Sequence, residues 1–596
     1  MKVRTISLLI LLSVAAGRVA GQQPTTTLQG NVMEAGTNTP LTGASLELRA
    51  LLENPGPAVS LPNSPIPYFQ ASSTPVYPGL SGDAGQFVFR NIPPGRYTLT
   101  ASHNGHMHAE YGQHGPNGKG MILTVAGGQP ITGIRLAMTR SGAISGHVYD
   151  NKAAPLAYVQ VQMRRLTYPD GQRTLTTTSS TVTDDRGAYR LYGLPPGAYV
   201  MSAETNTNSV GIIPVGASRT PPVPGVVVFQ SASGPMTTDP DPANQNRRRD
   251  PGLLIFYPNA TDSRLAKTID IRAGDDIAGI NVTLNAVRST PVAVTWNITG
   301  TSNPSNSIIE LVVSSVSNGG EVRNRFGIPP GLSGPPVLSL PSGSYLALAM
   351  ERGSAPEPST VGYAGFDVGS STATRINIGM TPTRRVAGHL VGDGPQNAVD
   401  PADIAGLRIN FRRNPPIPLL PGPPTVTPGR DGTFSVNGFT DGDWEVLVTG
   451  FPESPRNAYV KSIRVSNTEV LGNRIHVAVE SDGPMALEIV IGANGGQLSG
   501  TAIGSKGEPL PNVTVLLAPD VPDRRELYRA IVTDAAGHYH FGNLSPGSYQ
   551  LFSWEDVEPD AWYNPAFMAT LQDVGKKVRI SEGSRESVDV NAIPIQ

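Results

Sequence analysis

The sequence predicts an all-β protein made of tandem antiparallel β-sandwich domains, about five units in number. A phrase of strand, Pro-Gly turn and strand recurs as "RNIPPGRYTLTA" (90–101), "YGLPPGAYVMSA" (192–203) and "GNLSPGSYQLFS" (542–553). Apolar residues alternate on both sides of each turn, which is typical of half-buried strands. Sustained helical periodicity is absent, and only short helical turns are predicted, near 263–267 and 565–571.

A second turn, upstream of the Pro-Gly or Asp-Gly turn, recurs four times in the chain. It reads "SGDAGQFVF", "TDDRGAYRL", "PGRDGTFSV" and "TDAAGHYHF", and its glycine always precedes the Pro-Gly or Asp-Gly glycine by ten residues. A constant interval fixes strand length and register, because a slip of one residue would turn the buried face outward. We expect Gly95, Gly197 and Gly547 to adopt positive φ, as a type II turn requires. A weaker copy, "LSLPSGSYLAL", occupies 338–348.

A second signature precedes each unit. Strands that start at Gly30, Gly146 and Gly500 lead into a turn, Pro-Leu and a period-2 strand, and the segment from Gly388 is a looser version. Most units end on an alternating strand such as "GIRLAM" or "GINVTL". The aromatic residues after the turns should pack inward, because they occupy one position in every unit; they are Tyr97, Tyr199, Trp444 and Tyr549.

Together these phrases resemble the carboxypeptidase regulatory-like domain, a transthyretin-like sandwich of the carbohydrate-binding-like fold group. The resemblance implies prealbumin-like or Ig-like sandwiches, of the kind found in arrays in secreted bacterial proteins, notably of acidobacteria. It is clearest in the first, second and last units, fair in the fourth and poor in the third. The predicted segments are a signal peptide at 1–21 and domains at 24–140, 141–288, 289–383, 384–495 and 496–596.

The N-terminus predicts export. Lys2 and Arg4 precede a short apolar run, 6–16, and small residues follow it, with cleavage expected before Gln22. No later segment is long and apolar enough for a transmembrane helix. The expected location is periplasmic or secreted. The 45 basic and 47 acidic residues nearly cancel, so the sequence lacks the charge excess typical of nucleic-acid binding.

The motifs of common enzymes are absent, so the sequence predicts a non-catalytic protein with no cofactor. A zinc peptidase needs ligand pairs such as H-x-x-E or H-E-x-x-H, and none of the nine histidines begins one. There is no cysteine, no G-x-S-x-G elbow and no phosphate-binding G-x-x-x-x-G-K-[ST] loop.

A histidine-rich stretch, "HNGHMHAEYGQHG", is a candidate metal site. In an extended strand His106, His108 and Glu110 would share a face and could bind a divalent metal. The alternative is an exposed polar edge or loop. Asp-rich turns offer oxygen ligands for calcium, but Asp184 and Asp534 are better explained as turn residues that bond the local backbone.

The acidic, aromatic stretch "SWEDVEPDAWYNP" is the candidate carbohydrate site. Trp554, Trp562 and Tyr563 would supply aromatic platforms for pyranose rings. Glu555, Asp556 or Asp560 would accept hydroxyl hydrogen bonds. The alternative is that these aromatic side chains fold back and cap the core, since tryptophan is usually well buried.

Three functions follow from these observations. The first is a secreted, non-catalytic protein that binds carbohydrate or acts as a scaffold at the cell surface. The second is a structural spacer or adhesin whose partner is a cell-surface protein rather than a polysaccharide. The third is an accessory subunit of a peptidase, or an enzyme with an unrecognised site. The carbohydrate ligand is suggested by the fold group, which is an argument by analogy.

Overall fold

The computed structural model is that of an all-β protein, as predicted. It describes residues 25–51, 74–171, 173–205, 254–284, 289–299, 307–316, 321–328, 335–352, 358–369, 374–393, 404, 406–417, 420–451, 457–478 and 483–595. The predicted signal peptide, 1–21, lies outside them. The chain divides into two compact units, and Met1–Asn104, His108–Gly112 and Gly120–Met138 form the smaller one.

The smaller unit is one sandwich of two sheets. One sheet has the order β4-β1-β8, and the other has the order β3-β2-β5, with β6 and β7 both paired to β5. The strands are β1 (Thr26–Glu34), β2 (Ser45–Leu51), β3 (Val76–Leu80), β4 (Gln86–Ile92), β5 (Gly95–Ser102), β6 (Ala109–Glu110), β7 (Leu123–Val125) and β8 (Ile131–Met138). The first and last strands pair in parallel, whereas β1 and β4 are antiparallel.

The larger unit begins with a second sandwich of the same plan. Its sheets have the orders β12-β9-β16 and β11-β10-β13-β14, and β17 and β15 join them at β9 and β13. The strands are β9 (Gly142–Asp150), β10 (Val159–Thr167), β11 (Thr174–Val182), β12 (Ala188–Leu194), β13 (Gly197–Thr205), β14 (Leu254–Phe256), β15 (Ile269–Ile271), β16 (Asp276–Ile277) and β17 (Val282–Leu284). Short 3-10 turns occupy Pro169–Gly171 and Ser263–Leu265.

The third sandwich, where the resemblance is poor, has its own hydrophobic core. Its seven strands form one continuous sheet, β20-β19-β22-β23-β24-β18-β21, because β23 also pairs with β24. The strands are β18 (Ser289–Ile298), β19 (Ile308–Ser315), β20 (Glu321–Ile328), β21 (Val337–Pro341), β22 (Gly343–Arg352), β23 (Thr360–Val368) and β24 (Thr374–Pro382).

The fourth sandwich has sheets of order β27-β25-β32-β29-β30 and β26-β28-β31. Its strands are β25 (Arg384–Gly392), β26 (Arg408–Arg413), β27 (Thr433–Phe439), β28 (Gly442–Thr449), β29 (Tyr459–Val465), β30 (Thr468–Glu469), β31 (Arg474–Val477) and β32 (Met485–Gly492). The buried Trp444 lies in its core beside Phe439, with ring centroids 5.0 Å apart.

The fifth sandwich is C-terminal and includes a short α-helix, α1 (Pro565–Ala569). Its strands are β33 (Gly496–Ile503), β34 (Thr514–Pro519), β35 (Arg529–Val532), β36 (His538–Leu544), β37 (Gly547–Trp554), β38 (Lys576–Ile580), β39 (Arg585–Ser587) and β40 (Val590–Ile593). Short 3-10 turns occupy Arg525–Leu527 and Ala561–Tyr563. The helical turns predicted near 263–267 and 565–571 are therefore present.

The described residues form five main hydrophobic cores. They do not overlap along the chain, and they span Leu28 to Met138, Ile144 to Leu284, Val292 to Met380, Val386 to Ile491, and Leu498 to Val590. The post-turn aromatic residues lie in these cores and are at most 3% exposed, as predicted for Tyr97, Tyr199, Trp444 and Tyr549.

Steric crowding explains why glycine stands in the first strand of four units. A Cβ atom at Gly30, Gly146, Gly388 or Gly500 would overlap a backbone carbonyl oxygen of the final strand region of the same sandwich. At Gly500, for example, that oxygen belongs to Val588. The first strand therefore needs glycine where the closing segment of the unit approaches its backbone.

The predicted positive φ of the Pro-Gly glycines is wrong for two of three positions. Gly197 has φ of 148°, but Gly95 and Gly547 are not among the positive-φ glycines. In all four units a left-handed residue lies four positions before the turn glycine, where the strand register shifts at a bulge. These positions are Asn91, Gly193, Gly438 and Asn543, with φ of 57°, 71°, 96° and 56°. Because the bulge already redirects the chain, the Pro-Gly glycine itself is not required to be left-handed.

The Asp/Gly turns behave as predicted. Asp184 Oδ1 accepts hydrogen bonds from the backbone N–H groups of Arg186 (2.9 Å) and Ala188 (2.8 Å). Asp534 makes the same two contacts in the last sandwich. Both carboxylates thus act on the local backbone, as an Asx turn does.

Candidate functional site

The C-terminal sandwich buries both faces of two neighbouring strands, β34 and β37. Val515, Leu517 and Leu551 face its main core. Leu516 and Phe552, which alternate with them, face a second apolar cluster on the other side of the sheet. Because side chains alternate along a strand, the continuous apolar runs of β34 and β37 fit burial on both faces.

The stretch that follows β37 covers this second face. It runs from Glu555 through the 3-10 turn Ala561–Tyr563 and the helix α1, and we call residues 555–571 the covering segment. Asn564 caps α1, since its Oδ1 accepts a hydrogen bond from the N–H of Ala566 at 3.0 Å. The left-handed Asp560 (φ 65°) turns the chain into the 3-10 turn.

The three predicted sugar-stacking residues lie in or against this cluster. Trp554 is 3% exposed and Trp562 is 9% exposed, so neither offers a free ring face. Tyr563 is half-buried, with its ring centroid 5.1 Å from that of Tyr528. The exposed platform expected of Trp554 and Trp562 is therefore not formed, because their large apolar areas are buried over β34 and β37. The structure has the core-capping arrangement that the sequence left as the alternative.

A cleft of about 540 Å³ nevertheless lies along the covering segment. Trp554 and Phe567 line it with aromatic rings. Asp556 and Glu558 contribute carboxylates, and Asn564 contributes an amide. The cleft combines apolar walls with a few polar groups, which is the usual composition of a ligand site.

Asp556 is held by an amide pair. Asn117 donates to its carboxylate from the backbone N–H (3.0 Å) and from Nδ2 (3.1 Å). Asn117 lies in the segment Gln113–Lys119, which belongs to the larger unit. Burial raises the pKa of Asp556 above its ordinary value, and the Asn117 hydrogen bonds oppose part of that rise.

Glu558 is held by an arginine of the second sandwich. Arg165 Nη2 lies 2.8 Å from Glu558 Oε2, and the two side chains are 15% and 28% exposed. The Arg165 guanidinium lies 5.5 Å from the centroid of the Tyr199 ring, which orients it. Burial raises the pKa of Glu558, and the charge of Arg165 opposes the rise.

Other polar contacts join the same parts of the larger unit. Arg525 Nη1 donates to the carbonyl oxygen of Gly171 at 2.7 Å. His114 Nε2 lies 2.7 Å from the carbonyl oxygen of Pro511, and Asn512 Nδ2 donates to that of Lys119. The acidic groups of the cleft are thus engaged by amides and a guanidinium from distant positions in the chain. These contacts join segments that are far apart in the chain.

The predicted metal ligands do not share a strand. The strand in this region is only Ala109–Glu110, so His106 and His108 lie outside it. His108 Nδ1 lies 3.2 Å from Ser102 Oγ, and Glu110 Oε2 accepts from the N–H of Gly120 at 2.9 Å. Within the described ranges no group of three or more His, Cys, Asp or Glu side chains is placed to hold a metal ion. The extended strand assumed for His106, His108 and Glu110 is the part of that prediction that the structure corrects.

Sequence reasoning missed Asn117 and Arg165, which engage the covering segment, and Arg525, which bonds Gly171. A signal existed for one of them, because "MRR" at 163–165 and "FRR" at 411–413 occupy corresponding strands of two units. Asn117 and Arg525 lie between strands, and their partners are hundreds of residues away in the chain. None of the helices in the described part of the chain is long and apolar enough to cross a membrane.

Comparison with protein-family models and with curated proteins gave no match. Among solved structures, the minor pilin GBS52 of Streptococcus agalactiae is 13% identical, covering 44% of this chain and 97% of its own, with a TM-score of 0.20. Two B repeat units of the collagen-binding protein of Staphylococcus aureus are 12% identical, covering 78% and 99%, with a TM-score of 0.12. At these TM-scores the similarities carry no argument, and the β-sandwich assignment rests on the sheets described above. The resemblance to the regulatory-like domain stays a prediction.

Proposed function

We propose that this protein is an exported, non-catalytic scaffold whose β-sandwiches within the larger unit are held in fixed contact. The observation that carries the proposal is the engagement of the covering segment by remote residues: Asn117 binds Asp556, and Arg165 binds Glu558. Asn117 engages both carboxylate oxygens of Asp556, and Arg165 engages Oε2 of Glu558. The same contacts serve a scaffold, because they restrict movement of the segments they join.

Limited proteolysis of the full chain tests the scaffold. Asp556→Asn combined with Glu558→Gln weakens both contacts while keeping side-chain size, so the covering segment should be cleaved faster than in the wild type. The matched control is Asp276→Asn, which weakens an exposed ion pair with Arg190 elsewhere in the larger unit. Equal cleavage rates in the double variant and the wild type would contradict the scaffold role of these contacts.

Export and lack of catalysis are separate parts of the proposal. Export is supported by the charged and apolar N-terminus, and N-terminal sequencing of exported chain should begin near Gln22. Recovery of Met1 on that chain would contradict it. The absence of zinc-ligand motifs supports a non-catalytic protein, and zinc-supplemented peptidase assays on the full chain should show no turnover.

Carbohydrate binding is a second candidate, favoured by the cleft of about 540 Å³ beside the covering segment. The half-buried Phe567 and Asn564 line that cleft, so they replace the buried tryptophans as the groups a sugar would contact. A glycan array with and without calcium tests this on the exported chain. Phe567→Ala should lose glycan retention and Tyr192→Ala, at an exposed tyrosine of the second sandwich, should keep it. Retention unchanged by Phe567→Ala would remove the cleft as the site.

A further inference from the structure

A second cleft, of about 650 Å³, lies in the larger unit and is rich in arginine. Four guanidinium-bearing residues line it, and they are Arg173, Arg412, Arg413 and Arg525. Pro416, Ile417 and Leu420 provide an apolar wall. A pocket of this size with convergent cations is suited to an anionic ligand.

Only one of these arginines is neutralised by a described carboxylate. The buried Glu445 accepts hydrogen bonds from Arg412 Nε (3.0 Å) and Nη2 (2.7 Å), and from Asn414 Nδ2 (2.6 Å). Arg173, Arg413 and Arg525 form no ion pair with any carboxylate of the described residues. The cleft therefore carries an excess of positive charge.

Arg413 is held rigidly without a carboxylate. Its Nη1 donates to the carbonyl oxygen of Pro415 at 2.9 Å. Its Nη2 donates to the carbonyl oxygen of Asp441 at 2.9 Å and to the Tyr363 hydroxyl at 3.2 Å. Its guanidinium lies 5.6 Å from the centroid of the Tyr363 ring. At Gly442 a Cβ atom would lie 2.7 Å from Arg413 Nη2, so glycine makes room for the guanidinium. A positioned guanidinium loses little freedom when it binds an anion.

The second sandwich shows what an arginine at this position binds. Arg165 and Arg413 are each the second arginine of the pair in "MRR" and "FRR", and each lies opposite the post-turn aromatic, Tyr199 or Trp444. Gly197 makes room for Arg165 as Gly442 does for Arg413. Arg165 binds a loop carboxylate, Glu558, at 2.8 Å. Arg413 has the same strand position, the same facing aromatic residue and the same neighbouring glycine, but no carboxylate of the described residues binds it.

We propose that the arginine cleft binds a glutamate or aspartate side chain on an acidic loop of a partner protein. Arg413 would take the carboxylate through the second N–H of its Nη1, since both N–H groups of Nη2 are engaged by Asp441 and Tyr363, while Arg525 and Arg173 supply further positive charge. A protein carboxylate is favoured over an acidic saccharide because the equivalent arginine of the second sandwich, Arg165, binds a glutamate on a loop, Glu558. The proposal goes beyond the scaffold function and does not depend on the carbohydrate cleft.

Fluorescence anisotropy with the full exported chain tests the proposal. The probe is a labelled hexaglutamate peptide, with a hexaglutamine peptide as the neutral probe and an oligogalacturonate as competitor. Hydrogen bonds to charged groups contribute enough that Arg413→Gln and Arg525→Gln should each weaken hexaglutamate binding about tenfold. The matched control, Arg579→Gln, removes an exposed arginine of the last sandwich that does not line the cleft, and it should leave binding unchanged.

Each outcome bears on the proposal. Binding of hexaglutamate but not hexaglutamine, weakened at Arg413 and Arg525 and unchanged at Arg579, supports it. Absence of hexaglutamate binding overturns it, as does equal weakening by Arg579→Gln, which would indicate unspecific charge attraction. Stronger competition by oligogalacturonate than by unlabelled hexaglutamate would also overturn it, in favour of an acidic saccharide. If Arg413→Gln does not fold, Arg525→Gln and Arg173→Gln keep the test intact.

Discussion

Tyr549 donates a hydrogen bond from its hydroxyl group to the carbonyl oxygen of Ser545, four residues earlier, at 2.7 Å. Every sandwich repeats this contact across its turn. The equivalent pairs are Tyr97 with Pro93, Tyr199 with Pro195, Tyr345 with Pro341, and Trp444 (through Nε1) with Thr440. The buried ring thus fixes the turn to the core, which explains why an aromatic residue with a donor stands at this position in all five units.

Tyr549→Phe should destabilise the C-terminal sandwich by about 1 kcal/mol, because the ring stays packed while the turn carbonyl loses its donor. Hydrogen exchange of β36 and β37 in the full chain measures this locally. Tyr192→Phe is the control, since Tyr192 is 77% exposed and should leave exchange unchanged. Identical exchange in Tyr549→Phe and wild type would show that the hydroxyl contact does not stabilise the turn.

Two glycines of the same unit should respond differently to alanine. Gly537 has φ of 79°, and a Cβ atom there would lie 2.9 Å from the backbone nitrogen of Leu510. Gly537→Ala should therefore cost about 1–3 kcal/mol through strain and crowding. At Gly547 the nearest atom would be 3.4 Å away, an ordinary contact, so Gly547→Ala should be tolerated.

Thermal unfolding of the two variants measures the difference. The C-terminal sandwich of Gly547→Ala should melt at nearly the same temperature as that of the wild type. The C-terminal sandwich of Gly537→Ala should melt at a clearly lower temperature. A larger loss at Gly547 than at Gly537 would contradict the assignment of the left-handed turn.

The Arg165–Glu558 pair should show a favourable coupling energy of about 1 kcal/mol in a double-mutant cycle with Arg165→Gln and Glu558→Gln. Both side chains are largely shielded from water, so solvent screens their attraction less than at the surface. The Arg190–Asp276 pair is the control, because its N–O distance is 2.9 Å but both side chains are more than half exposed. Its coupling should be near zero. Equal coupling in the two pairs would contradict the effect of burial.

The stability of the C-terminal sandwich should depend on pH through Asp556. Burial raises the pKa of Asp556 in the folded chain above 3.8, its ordinary value, which applies in the unfolded chain. At a pH between 3.8 and the raised pKa, the folded chain therefore holds a proton that the unfolded chain has released. The contribution of this group to the free energy of unfolding is therefore greatest below pH 3.8 and is lost as pH rises through the raised pKa. Asp556→Asn removes this dependence.

Denaturant unfolding of wild type and Asp556→Asn over a series of pH values measures the effect. The difference in unfolding free energy should shift in favour of the variant as pH rises. A difference that is constant with pH, or that shifts in favour of the wild type, would contradict a raised pKa at Asp556.

The sequence by itself determined the class of fold and the repeated unit. Constant spacing of turn glycines and alternation of apolar residues predict the strands, because both express the period-2 geometry of a sheet. The inward position of Tyr97, Tyr199, Trp444 and Tyr549 followed from the same periodicity. These features are local, so neighbouring residues contain the information that specifies them.

Only the tertiary structure decided which polar and aromatic side chains at the sandwich surface are buried and which partners they bind. Trp554 and Trp562 are buried because the covering segment returns to the outer face of β34 and β37, and no local pattern fixes that return. Asp556 and Glu558 find their partners at Asn117 and Arg165, more than 390 residues away in the chain. A left-handed residue stands at each bulge, while Gly95 and Gly547 are not left-handed, because strand pairing and not the turn alone sets the backbone there. Contacts of this kind depend on how packed sheets meet, which the spacing of residues along one strand does not specify.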